Sequence, residues 1–394
     1  MRIGKWARLV LAATPLLAGC GNFWQNPNGS GGGTGTCTTN CSTGTSGNFY
    51  ILNQKSGQIA AYSIVSGTLT AGSGSPYTLA AAPFAMAISP GGAFLYVATS
   101  VGIYLYTINS STGALTIGTG GAYPFLATSM QVDATGAWLV AAGRSAAGVG
   151  EVEAFPINSS TGVLGTAQTA KLANSTVTQM AISPDSANVF VALGGNGTEV
   201  IPFDVGAASG TTPFGSTAIS IPVLKTNGSA LSVAVDPTNR LFYIGETLAS
   251  SSSGGLRVYN YTSLTGTLSQ VTGSPYASGG LAPNAILPIS SGDYVYVANG
   301  TTGNSTAGSV TGFAVTSTGS TYSLTSGSTA AAGLGPVSIA EDSTSTYLLV
   351  VNSSGSPDLN AYTFDTTTAG KLDSAFTAST GTDPVEAVAI AATP

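Results

Sequence analysis

The sequence predicts an all-β protein, a seven-bladed propeller built from four-stranded antiparallel blades. Three observations predict it: a strand pair recurs seven times, the seventh copy is split between the chain ends, and helical periodicity is nearly absent. Each copy holds a small apolar run, a turn and an aromatic-rich strand. The first is Pro83-Phe-Ala-Met-Ala-Ile-Ser-Pro90 followed by Phe94-Leu-Tyr-Val-Ala98. Others begin at Ser129, Gln179, Leu231, Ala285 and Pro336, with second strands at Trp138, Val189, Leu241, Tyr294 and Tyr347. The last inner strand, Pro384-Val-Glu-Ala-Val-Ala-Ile390, has no partner after it, and Phe49-Tyr-Ile-Leu52 has none before it. A linear array would not need its two ends to complete one repeat, whereas a ring would. The expected closure pairs these two strands and removes two sheet edges.

The inner strands are small and apolar, as strands crowded about an axis must be. A third strand alternates bulky and polar residues, as in Ile103–Ile108, Val152–Ile157, Leu256–Tyr261, Val310–Val315 and Leu359–Phe364. Thr-Gly turns follow several of them, at Gly113, Gly162 and Gly266, where glycine supplies the positive φ of a tight turn. A weaker fourth strand leads to the next repeat. Two of the loops there are nearly identical, Gly74-Ser-Pro-Tyr77 and Gly273-Ser-Pro-Tyr276. Hydrophobic residues make up 43% of the chain and charged ones only 7%, so the 53 glycines serve turns rather than disorder.

The N-terminus reads as a targeting segment. Arg2, Lys5 and Arg8 precede an apolar run, Leu9 to Leu17, too short to span a bilayer. It ends in Leu17-Ala-Gly-Cys20, which resembles the lipobox of bacterial lipoproteins. That resemblance implies cleavage after residue 19 and lipidation of Cys20. With Gly21 rather than Asp next, it also implies an outer-membrane destination, on the periplasmic or surface face. Residues 20–46 are a Gly/Ser/Thr-rich tether, and the propeller is expected over 47–394. Cys37 and Cys41 remain as a pair, read as a disulfide in an oxidising compartment, with a two-thiol metal site as the alternative. Losing Arg2, Lys5 and Arg8 from ten basic residues leaves 7 against 16 acidic, a formal charge of −9. Nucleic acid is excluded as a partner on that ground. The membrane is expected to be met only through the lipid, and the body is expected to be a monomer.

Once the repeat is in register, Tyr296-Val-Ala-Asn299, Phe94-Leu-Tyr-Val-Ala98, Ile182-Ser-Pro-Asp185 and Tyr106-Thr-Ile-Asn-Ser-Ser-Thr-Gly113 resemble the seven-bladed lactonase-like propellers. These include the 6-phosphogluconolactonase and carboxymuconate-cyclase type and surface propellers with YVTN repeats. The resemblance covers about residues 47–394 and implies the fold. The family's site is expected to hold histidine, arginine and acidic residues, and this chain has no histidine.

Ligands of a propeller meet inner-strand starts and second-strand ends. One residue per blade lies there: Asn53, Thr99, Gly143, Leu193, Glu246, Asn299 and Asn352, with Arg144, Asn284, Asp383 and Glu386 nearby. Asn53, Thr99, Asn284, Asn299, Asn352 and Asp383 are the candidate ligand-binding residues. The alternative for each is a strand cap that bonds loop backbone. Opening a lactone needs a base and an oxyanion donor, roles that Glu246 or Glu386 and Arg144 could fill. Glu246, Asn299, Asn352 and Asp383 also offer hard oxygens, but no dedicated metal-loop spacing is present, so no metal or other cofactor is expected. Arg240 and Arg257 read as structural. Glu341-Asp342, on the far face, reads as a solvated turn. Glu151 and Glu153 lie on one side of a third strand without acid–base spacing. The first expectation is a non-catalytic module binding a glycan, small molecule or protein. A sugar-lactone hydrolase is the alternative, and a surface spacer the third possibility.

Overall fold

The computed structural model describes residues 47–208, 210–238, 240–248, 254–261, 268–300, 307–354, 357–378 and 387–394. The expected signal segment, Cys20, the tether with Cys37 and Cys41, Asp383 and Glu386 lie outside the described residues. Every regular element described is a strand, in antiparallel sheets. The strands form seven four-stranded units among the described residues. Blades 2 to 5 open with inner strands Pro83–Ile88, Leu126–Val132, Gln179–Ile182 and Ser229–Val235. Blade 6 opens with Ala282–Pro288. The long strand Thr321–Glu341 is both the outer strand of blade 6 and the inner strand of blade 7, which merges those two blades into one seven-stranded sheet.

Blade 1 is assembled from both ends of the propeller. Phe49–Asn53 pairs with Ala387–Ala392, with Tyr50 opposite Ala391 and Ile51 opposite Ile390. The Thr393 amide extends the seam by donating to the Asn48 carbonyl at 2.8 Å. Each inner strand packs against the next, from Ala387–Ala392 round to Thr321–Glu341 and back, so the ring is closed as the split repeat implies. Between blades lie separate hydrophobic layers. One sets Tyr50, Leu52 and Ile59 of blade 1 against Met86, Leu95 and Val97 of blade 2. Residues that alternate along a strand thus feed two different interfaces, which is why the second strands are apolar on both faces.

Two of the Thr-Gly turns, at Gly113 and Gly162, act as inter-blade latches, and the one at Gly266 lies outside the described residues. The Tyr50 hydroxyl donates to the Gly113 carbonyl and the Tyr96 hydroxyl to the Gly162 carbonyl, each at 2.8 Å. Gly113 and Gly162 hold φ of 67° and 72°, and a Cβ on Gly162 would lie 2.5 Å from the Phe94 ring. The equivalent Tyr243 and Tyr296 hydroxyls are buried without a hydrogen-bond partner. Tyr96→Phe is therefore expected to cost about 1–2 kcal/mol, because it strands a carbonyl. Tyr243→Phe is expected to be neutral or stabilising, since it removes only a desolvated hydroxyl. Denaturant melts of the two variants check the contrast. The twin Gly-Ser-Pro-Tyr loops share a cis proline, and their Tyr77 and Tyr276 hydroxyls accept from Leu115 N and Leu324 N of the next blade.

The far end of the ring corrects one expectation. Asp342 is not solvated but 3% exposed, and its Oδ1 accepts from the Thr346 amide at 2.8 Å. Asp133 and Asp236 cap the same turn in blades 3 and 5, and Ser89 and Ser183 do so in blades 2 and 4. A buried carboxylate survives there because the turn amides converge on it. Glu341 bridges to blade 6 by accepting from Ser290 N at 2.8 Å.

Candidate functional site at the channel mouth

The inner strands do not run regularly to their starts. In six blades the pairing with the second strand slips by one residue near that end, a β-bulge. The skipped residues are Phe84, Thr128, Leu231, Asn284, Val337 and Val388. A bulge leaves one residue out of the ladder and re-aims its side chain. Five of these six, together with Thr178 at the matching place in blade 4, line a central cavity of about 220 Å³. The mouth is thus a ring of bulge residues.

One residue further along each strand, small polar groups tie the ring together. Ser129 Oγ accepts from Met180 N at 3.1 Å, Gln179 Oε1 from Val233 N at 2.9 Å, and Ser338 Oγ from Ile390 N at 3.2 Å. Asn284 Nδ2 donates to the Pro336 carbonyl at 2.8 Å. These bonds satisfy backbone that the ring geometry leaves without a ladder partner. Deeper still lie Met86, Met130 and Met180, at one register of three adjacent blades. They are the chain's only methionines besides Met1. Met180 also lines an apolar cleft of about 470 Å³ toward the far end, rimmed by Pro90, Pro184, Pro237 and Pro288.

Of the residues expected at the mouth, Asn284 lines the cavity. Asn53, Thr99, Asn299 and Asn352 are fully buried at second-strand ends. Thr99 Oγ1 donates to Gly102 O at 2.8 Å, Asn299 Nδ2 to Ser278 O at 2.7 Å, and Asn352 Nδ2 to Asn360 Oδ1 at 2.7 Å. They hold the loops of the mouth from behind. The Oδ1 atoms of Asn299 and Asn352 are buried with no hydrogen-bond partner.

Glu246 is 1% exposed and pairs with Arg257, Oε1 to Nη1, at 2.8 Å. Its Oε2 accepts from the Leu224 amide at 3.2 Å, and Arg257 Nη1 also donates to the Pro222 carbonyl at 2.8 Å. The guanidinium lies 5.3 Å from the Tyr259 ring centre, and Tyr259 stacks on Phe242. Arg144 is exposed on the same end, and its Nε donates to Ser175 O at 2.7 Å. Neither Glu246 nor Arg144 lines the central cavity. Glu151 lies opposite Lys171, and Glu153 is pushed up to about 7 by burial and by Glu151, on a third strand away from the cavity. Among the described residues no group of three metal-ligating side chains occurs. None of the cavity's described lining residues is ionisable.

No protein-family model and no curated protein sequence matches the chain. Solved structures do. A candidate 6-phosphogluconolactonase from Bacteroides fragilis superposes with a TM-score of 0.66 at 15% identity, covering 88% of this chain and 97% of that one. A periplasmic gluconolactonase from Pseudomonas aeruginosa gives 0.64 at 17% identity, covering 84% and 97%. A functionally unknown protein from Desulfotomaculum acetoxidans gives 0.65 at 15% identity, covering 89% and 100%. At these identities the likeness concerns architecture: the chain has the lactonase-like β-propeller fold.

Proposed function

We propose that this chain is an exported, lipid-anchored propeller that binds a ligand at its channel mouth without turning over lactones. The observation that carries the reading is the neutrality of the mouth's described lining. That lining offers hydroxyls, amides and apolar groups, and no base or cation. Lactone opening needs a carboxylate or imidazole free to take a proton and a donor facing the oxyanion. Glu246 is instead committed to Arg257. The lipobox at Cys20, the tether over 20–46 and the cysteine pair support export to the cell envelope, with the outer membrane as the expected site.

The methionines give a direct test of where a ligand sits. With the methyl carbons of Met86, Met130 and Met180 labelled, a ligand in the channel is expected to shift these resonances saturably. The titration uses soluble protein starting at residue 21 and a panel of sugars, sugar acids and envelope glycans. Binding that saturates while all three methyls stay unmoved would place the ligand elsewhere.

A further inference from the structure

Resting on that reading of the mouth, we infer the chemical class of its ligand: a neutral sugar ring, seated with its apolar face on Phe84. Three features lead there. First, the ring of bulge residues is two-sided. Val337, Val388 and Phe84 fall on the consecutive blades 7, 1 and 2, forming an apolar arc. Thr128, Thr178 and Asn284, on blades 3, 4 and 6, supply the polar side. A pyranose has the same division, with C–H groups on one face and hydroxyls around the rim.

Second, Phe84 is 38% exposed, while its strand neighbours Ala85 and Met86 are 6% and 8% exposed. The bulge between Pro83 and Ala85 lifts this one aromatic ring out of the packing and presents it at the cavity. An aromatic held at a polar mouth offers large contact area at little entropic cost to a partner with a flat apolar face.

Third, the hydrogen-bonding capacity of the mouth matches hydroxyls better than anions. Thr178 Oγ1 already donates to the Ala230 carbonyl at 3.0 Å, and Asn284 Nδ2 to Pro336 O at 2.8 Å. Their oxygens are left to accept. Ser129 and Ser338 already accept backbone amides, so their hydroxyl protons are left to donate. A sugar hydroxyl both gives and accepts, whereas a carboxylate or phosphate only accepts. An anion here would meet accepting oxygens as well as the two serine protons, with no cation among the described lining, and would be compensated only in part for its lost hydration. The cavity of about 220 Å³ holds one ring rather than an extended ligand.

Calorimetry on the full propeller tests this. The probes are the methyl glycosides of glucose, galactose, mannose and N-acetylglucosamine, set against gluconate and 6-phosphogluconate. At least one neutral glycoside is expected to bind saturably and to move the methionine methyl resonances. Phe84→Ala is expected to weaken it about tenfold. Phe84→Tyr, which keeps the platform, is expected to stay within about threefold of wild type, and Arg144→Gln to leave affinity unchanged. Binding of gluconate or 6-phosphogluconate in the channel without any neutral glycoside would overturn the sugar class and leave the mouth as the site. Neutral binding that Phe84→Ala does not weaken would overturn the platform. No methyl shift with any probe would sink both readings.

Discussion

Arg257→Ala is expected to destabilise the propeller by about 3–5 kcal/mol, the range for leaving a buried charge without its partner. Glu246 is 1% exposed, and among the described residues only the Leu224 amide joins Arg257 in balancing its charge. The guanidinium also ties blade 5 to the Pro222 carbonyl in the segment leading out of blade 4. Its removal loosens that interface as well. The paired replacement Glu246→Leu with Arg257→Met removes both charges at similar volume and is expected to cost far less than either single change. Urea melts of the two single variants and the double variant check the order. A double variant no more stable than Arg257→Ala would mean that the charge pairing matters little.

Deleting residues 387–394 is expected to abolish the cooperative fold rather than trim it. The deletion uncovers the whole edge of Phe49–Asn53, whose five residues are all buried. It also removes the inner strand that packs between blades 7 and 2. Ile51, at 0% exposure, and Ile390, at 7%, sit in the same core cluster as Tyr347 and Leu349 of blade 7. Exposing side chains of this kind costs about 1.5–3 kcal/mol each, so the loss exceeds the 5–15 kcal/mol of a typical domain once several are uncovered. Circular dichroism and size exclusion of the truncated protein check this. A sharp melt near the wild-type temperature would show that the ring does not depend on its seam. Adding a peptide of residues 387–394 in trans is expected to restore part of the signal.

The architecture was legible because the repeat carried it. Seven inner strands, aromatic second strands and the split copy imply the blade count and the closure, and the seam pairs as the sequence implies. The face of the site was less legible. The sequence pattern points to second-strand ends as the mouth, but Asn53, Thr99, Asn299 and Asn352 are buried behind it. Strict alternation assigns faces only while the ladder is regular, and the bulges break it one residue before the visible pattern. A signal was present: Pro83, Pro283 and Pro336 recur immediately before Phe84, Asn284 and Val337. Proline in a strand is confined to starts, edges and bulges, so its recurrence marks the irregular end. The sequence marks Arg257 as structural but does not reveal its partner. Glu246 stands opposite Gly255, which is two residues from Arg257 on the neighbouring strand, so the ion pair crosses the ladder diagonally and direct strand register does not reveal it.

Binding without turnover is checked by acid release from a lactone panel that includes 6-phosphogluconolactone and gluconolactone. The wild-type propeller is expected to give no release above buffer. Glu246→Gln and Glu386→Gln serve as controls, each assayed below its own measured melting temperature so that unfolding is not mistaken for lost chemistry. Saturable release by wild type that disappears in a folded Glu246→Gln or Glu386→Gln protein would make the chain a hydrolase and overturn the non-catalytic reading.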